Sequence, residues 1–349
     1  MTKLIIKVIG VLLLMSFIIY LFYSPRLQFD VLENPNETTT NKNQQKDLKK
    51  SDVTENNPKP KKGVGTWVGQ HVSKLTERYG QADRVYPYQK KYKNYVFKNK
   101  DSYYIVSAKK GIIKSVYATG EGAHVDPIHI NDEASKVFEK FSVNPEPTVK
   151  SNGKRYDLEL SDSDMKTQAL VKFDDTYAQI FMDQQSNKIV AVRYLDSDAL
   201  ATIKPYRMVA SGGNKEIKND NNDVPYEQNS NQLITLYEIT NEMRKLKHVK
   251  PLTINNKIAH IASFNLYEAT DNKSVEFTEN ALKQQLNNQH VSFTSASQNV
   301  GYDFNDVPTL MHNWLNSDIH RSRILNSKYN SMGGEVMDGY YTLIFVKEK

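Results

Sequence analysis

The sequence predicts an α+β protein, and three observations carry that expectation. Between Gly63 and Arg207 helical spacing alternates with paired strands, in a pattern that occurs twice. From Asn231 onward four amphipathic helices precede two closing strands. Ahead of both lies an apolar run followed by polar chain without aromatic residues. The expected division is 1–29 membrane anchor, 30–62 disordered linker, 63–207 first globular region, 208–225 linker and 226–349 second globular region.

Composition narrows the chemistry. The 349 residues suffice for about two ordinary domains plus extensions. There is no cysteine, so disulfides, cysteine-ligated zinc and thiol catalysis are excluded. The net charge of +6 is mild for this length, and lysines alternate with acids. It reads first as a solvated surface, then as attraction to an anionic envelope; no nucleic-acid partner is expected.

The run Leu4–Tyr23 carries no charge after Lys7. About 20 mostly apolar residues can cross the hydrocarbon core as a helix. The run is longer than a cleavable signal's apolar region and lacks an A-x-A-like site, so an uncleaved signal anchor is expected. With Lys3 and Lys7 at the head of the run and Arg26 after it, the charge balance sets the N-terminus in the cytoplasm, with the chain after Ser24 outside. Residues 30–62 are rich in Asn, Lys, Thr and Pro and offer little surface to bury. They are expected to form a flexible tether that holds the globular part away from the membrane.

Within 63–207, "HVSKLTERYG" (His71–Gly80) matches "EASKVFEKFS" (Glu133–Ser142), both with helical spacing. "NYVFKN" (Asn94–Asn99) is paired with "RYDLEL" (Arg155–Leu160), and the hairpin Ser102–Thr119 with Thr176–Leu195. His71, His124 and His129 are scattered, with no third ligand near His124 and His129.

In the last region the spacing of Leu233, Leu236, Ile239, Met243 and Leu246 makes one amphipathic helix. Ile258, Ile261, Ala262 and Leu266 make the inner face of a second. "ENALKQQLNN" is a third, and "VPTLMHNWLNS" a fourth whose face is Leu310, Met311, Trp314 and Leu315. "SMGGEVMDGYYTLIFVKE" reads as two strands around a Met337-Asp338-Gly339 turn, with one of Tyr340 and Tyr341 inward.

Four stretches in order carry a resemblance: "NEMRKLKHVKPLTINNKIAHIA" with Asn241 and Arg244, "SQNVG" (Ser297–Gly301), "WLNSDIHRSRIL" with Trp314, Ser317, His320 and Arg321, and "GGEVMDGYYTLIFV". Together they resemble the CAP superfamily, named for cysteine-rich secretory proteins, antigen 5 and pathogenesis-related proteins. The region before them resembles the module that precedes CAP domains in membrane-anchored bacterial proteins. The resemblance implies an α-β-α sandwich with a shallow cleft, in which two histidines and two glutamates of many members face a divalent cation.

The implied cleft positions here are His320, Gln298, Asn299 and Phe277, with Glu276 and Glu279 beside the last. Gln298 stands where the family has glutamate, and Phe277 where a second histidine is implied. An amide neither titrates near neutrality nor serves zinc well, so no metal and no cofactor are expected. His320 reads first as a hydrogen-bonded histidine that orders the turn after the tryptophan helix, paired with Gln298 or Asn299. The alternatives are contact with a ligand in a metal-free cleft, or metal binding and catalysis.

The expected function is a membrane-tethered, non-catalytic binding module for a cell-envelope protein or polymer. A hydrolase would need Glu276, Glu279 or Glu335 to converge on His320; an apolar ligand between helices is a third possibility, which Phe277 favours. The oligomeric state stays open.

Overall fold

The structure, a computed structural model, describes Met15 and residues 29–36, 57–210, 226–272 and 277–349. The run Leu4–Tyr23, Met15 apart, lies outside these residues. Among the described residues no helix is long and apolar enough to cross a membrane.

In chain order the elements are β1 (Val31–Glu33), α1 (Ser73–Tyr79), β2 (Arg84–Tyr88), β3 (Tyr92–Asn99), β4 (Ser102–Lys109), β5 (Ile112–Thr119), α2 (Val137–Lys140), β6 (Thr148–Ser151) and β7 (Lys154–Glu159). They continue with α3 (Asp162–Thr167), β8 (Gln168–Phe173), β9 (Thr176–Asp183), β10 (Lys188–Leu195), α4 (Ser197–Ile203) and β11 (Arg207–Ala210). The last region holds α5 (Tyr226–Leu246), β12 (Thr253–Ile254), α6 (Asn256–Asn272), α7 (Glu279–Asn288), β13 (Phe293–Tyr302), α8 (Val307–Leu315), α9 (Asp318–Ile324), β14 (Ser331–Met337) and β15 (Tyr340–Glu348).

The first region is a seven-stranded antiparallel sheet in the order β2-β3-β4-β5-β10-β9-β8. Two strand triplets, β3-β4-β5 and β8-β9-β10, meet at the β5–β10 pair, so the internal repeat is real. One partner is corrected. The counterpart of Asn94–Asn99 is β8, not Arg155–Leu160. That stretch forms β7 in a separate three-stranded sheet, β11-β7-β6, packed on α4. Alternating apolar residues occur in both stretches, and only sheet membership separates them. The strand β11 also extends to Ala210, past the expected domain end at 207, because it pairs with β7.

The last region is an α-β-α sandwich. Its sheet has the order β1-β13-β15-β14-β12. On one side Ile258, Leu266 and Leu282 of α6 and α7 pack on Val300, Ile344 and Val346. On the other, Leu236 and Met243 of α5 and Leu310 and Trp314 of α8 pack on Leu343 and Phe345. These are the faces that the helical and strand periodicities mark. Gly333 lets α6 approach β14, since a Cβ there would fall on backbone of Ile258 and Ala259.

The outer face of α5 and α8 is covered by the seven-stranded sheet. Tyr86, Val96, Ile105, Tyr117 and Phe181 join Leu236, Met311 and Trp314 in one apolar cluster. Buried polar groups cross the same boundary. Arg193, 2% exposed, ion-pairs with Asp306 and donates to Thr309 Oγ1 at 3.0 Å. Tyr117 OH lies 3.0 Å from His312 Nε2. Asp183 accepts from both terminal nitrogens of Arg321, at 2.8 and 2.9 Å, and pairs with Lys247 at 2.5 Å. The two regions therefore share a core.

The expected linker 30–62 is corrected at both ends. Residues 31–33 form β1, and Asn57 is buried, donating to Ser142 O and Lys172 O at 2.8 and 3.1 Å. Low average hydrophobicity hid two short segments whose backbone groups find partners far away in sequence.

Candidate functional site

The site builds up around β13. Side chains alternate across a strand, so Gln298 and Asn299 face opposite sides of the sheet. Gln298 points to the α6–α7 side, where its Nε2 donates to Thr342 Oγ1 at 2.6 Å. Asn299 points to the other side and donates to the backbone carbonyl of His320 at 3.0 Å. Of the two partners expected for His320, the structure brings Asn299, through backbone, and sends Gln298 elsewhere.

His320 does not end the tryptophan helix. It lies in α9, a second short helix that begins after Ser317. Its ring is parallel to Trp314, with centroids 6.2 Å apart and planes at 4°. Nδ1 is 2.9 Å from Ser317 Oγ, and Nε2 is 3.2 Å from the carbonyl oxygen of Asp30. A carbonyl only accepts, so Nε2 carries the proton and Nδ1 accepts from the Ser317 hydroxyl. Burial, aided by the Arg323 charge, holds the imidazole's pKa below its usual value against the raising contact with Asp30, which favours this neutral form.

The Asp30 carbonyl arrives on a strap, residues 29–36. The strand β1 runs parallel to β13 with Val31 opposite Val300. Phe29 donates its N–H to Phe277 O at 2.5 Å and joins Phe277 in the α6–α7 cluster. Arg323 lies over the Phe29 ring at 5.0 Å. Burying that ring contributes roughly 2 kcal/mol. Asn34 is buried; its N–H donates to Tyr302 O at 3.0 Å and its amide to Asp303 O at 2.9 Å. Asn36 reaches the first region, donating to Pro205 O at 3.0 Å and Asp164 Oδ1 at 3.3 Å.

The remaining expected residues are placed as follows. Phe277 is buried beneath the strap. Glu279 pairs with Lys283 in the first turn of α7, and Glu335 bonds to the N–H of Val336. Glu276 lies outside the described residues. Asn241 clamps Leu252 through both its backbone groups, at 3.0 and 2.8 Å. Arg244 is fully buried and donates to carbonyls of Lys250, Ile324, Asn326 and Tyr329, closing the end of α9. Burial without a counter-charge lowers its pKa to about 10. Arg321 serves the boundary with the first region rather than the cleft.

This arrangement does not fit a divalent cation. Both ring nitrogens of His320 are engaged, Gln298 faces the opposite side, and Phe277 has no donor atom. Among the described residues no group of three or more His, Asp or Glu side chains is arranged to hold a metal ion. Reading the sequence missed the strap, Arg193, Asp183 and His312. The only local signal for the strap was the cluster Phe29, Val31 and Leu32 at the head of a polar stretch.

Comparison with known proteins defines the class. The sequence model of the cysteine-rich secretory protein family matches residues 237–346, and that of the CAP-associated N-terminal domain matches 68–206. The crystal structure of a cysteine-rich secretory protein, SAV1118, from Staphylococcus aureus is 56% identical, with a TM-score of 0.82 over 93% of this chain and 100% of that one. An extracellular protein containing an SCP domain from Bacillus anthracis is 25% identical, with a TM-score of 0.74 over 87% and 99%. The uncharacterized membrane protein YlbC of Bacillus subtilis is 27% identical over 82% of this chain and 84% of its own length. The chain belongs to the cysteine-rich secretory protein, or CAP, family, with a CAP-associated N-terminal domain.

Proposed function

We propose that this chain is a membrane-tethered, extracellular binding module, which presents its CAP domain to a protein or polymer of the cell envelope without catalysing a reaction. The observation that carries the reading is the state of His320. One nitrogen accepts from Ser317, the other donates to a backbone carbonyl, and neither is left for a substrate or a metal. The apolar run Leu4–Tyr23 supplies the anchor, and relatives described as a membrane protein and an extracellular protein support that placement. Phe29 follows Tyr23 by six residues, which reach at most about 20 Å. The CAP domain then works close to the membrane surface, rather than at the end of a long tether.

A second reading, an envelope hydrolase, draws on the 2.9 Å contact between Ser317 Oγ and His320 Nδ1. A base in such a pair is oriented and its developing charge offset by a carboxylate, whereas Nε2 here meets the Asp30 carbonyl. Crosslinking in intact cells with the anchored chain tests the first reading. Recovery of a defined envelope partner is expected; no partner above the level of an anchor-only control sinks it.

A further inference from the structure

The proposed module has a face to which a partner chemistry can be assigned. Without the strap β13 would be the edge of its sheet, and such edges accept extended peptides by strand addition. In this chain the edge is occupied by the strap. Its ladder is short, three residues against three, and Val31 and Glu33 remain exposed. Specificity comes from the two ends. Phe29 fills a socket formed by Phe277 and Arg323, and Asn34 is buried against the Tyr302 and Asp303 carbonyls. Backbone pairing in the middle and two side-chain anchors five positions apart are the features of a peptide site. Beyond the ladder, Arg323 takes the Gln298 carbonyl at 2.8 Å, which limits the site to this stretch.

We propose that the edge of β13 from Val300 to Tyr302, with the Phe277–Arg323 socket, is a binding site for an extended peptide bearing an aromatic residue and, five positions later, an asparagine. The strap Phe29–Asn36 is its resident occupant and a competing segment displaces it. Displacement removes Asp30 from His320 and opens the Ser317–His320 pair. The assignment rests on the binding-module reading and names the partner class at this site.

The probe is a fluorescent octapeptide with the sequence of Phe29–Asn36, added to the full anchored chain in nanodiscs. Phe29→Asp weakens the resident strap, and its binding of the octapeptide is expected to be at least tenfold tighter than that of the parent. Adding Arg323→Ala to that variant should return binding to the parent level. Equal affinity of parent and Phe29→Asp overturns the proposal. Hydrogen exchange on the parent decides independently of whether the variants fold: amides of Val31–Asn34 should exchange at least tenfold faster than those of the β13–β15 ladder. Equal protection makes the strap a permanent strand and overturns the proposal. A partner crosslinked equally to parent and Phe29→Asp, with no octapeptide bound, rejects this groove and leaves the module reading in place.

Discussion

Arg244 shows how one side chain can hold two distant turns. Its guanidinium gathers carbonyls from the loop after α5 and the segment after α9. Removing it leaves buried carbonyls without donors, each costing about 1–3 kcal/mol. Arg244→Ala should lower stability by about 3 kcal/mol or more in urea unfolding; a change under about 1 kcal/mol is incompatible with this role. His320 is a milder case. His320→Ala loses a hydrogen bond to Ser317, the contact with Asp30 and the stack on Trp314, worth about 1–2 kcal/mol together. A cation that binds only the folded state raises the midpoint by mass action. Zinc, magnesium and calcium should therefore leave parent and variant unshifted. A zinc-dependent rise in the parent alone would make His320 a ligand.

At the scale of elements, the sandwich depends on α6 lying close on β14. Gly333→Ala forces a methyl into the backbone of Ile258 and Ala259, and overpacking of this kind costs about 1–3 kcal/mol. Thermal unfolding should show the loss, with an unchanged midpoint disproving the close approach. The start of α8 matters to both regions. Asp306 accepts from Thr309 N as the helix cap and also pairs with Arg193. Asp306→Ala removes the cap and strands a buried guanidinium, for which about 3–5 kcal/mol is expected. Arg193→Met in the same chain should recover part of that loss, because it removes the stranded charge; a double variant no more stable than Asp306→Ala contradicts the pairing.

For the whole molecule, a shared core implies one folding unit. Calorimetry of residues 29–349 is expected to show a single transition, and residues 226–349 alone should lose cooperative unfolding, since they expose the outer face of α5 and α8. Two separate transitions would rule this out. Acid should act through the same boundary. Burial and then the Arg193 charge lower the pKa of His312 to about 3, so the unfolded chain takes up a proton first as pH falls below about 6.5. The stability from a neutral His312 is full above that pH and declines toward about pH 3, by at most about 1.36 kcal/mol per unit. At Asp183 burial opposes ionisation, but hydrogen bonds from Lys247, Ser186 and Arg321 outweigh it and hold the carboxyl at about 2. Its contribution is present above 3.8, the ordinary value, and is lost as pH falls through about 2. Urea midpoints measured from pH 7.5 to 4 should decline, and His312→Gln should flatten the decline; an equal slope in the variant rejects His312 as its source.

The sequence by itself determined which residues face inward on each long element. Leu236, Ile239 and Met243 on one helix and Leu310, Met311 and Trp314 on another are buried, and of the alternating pair Tyr340 and Tyr341 one is buried, which the structure shows to be Tyr341. The Asp338-Gly339 turn was legible as well, and both residues take positive φ. These features follow from the periods of helix and strand and from turn chemistry, which are local. The tertiary structure alone decided the rest. It assigned β8 instead of β7 to the repeat, gave Gln298 to Thr342 and Asn299 to the His320 carbonyl, fused the two regions through Arg193 and Asp183, and laid Asp30 on His320. The last two residues are 290 positions apart. A contact of that span leaves no periodic trace, because it depends on which surfaces the folded sheets present to each other.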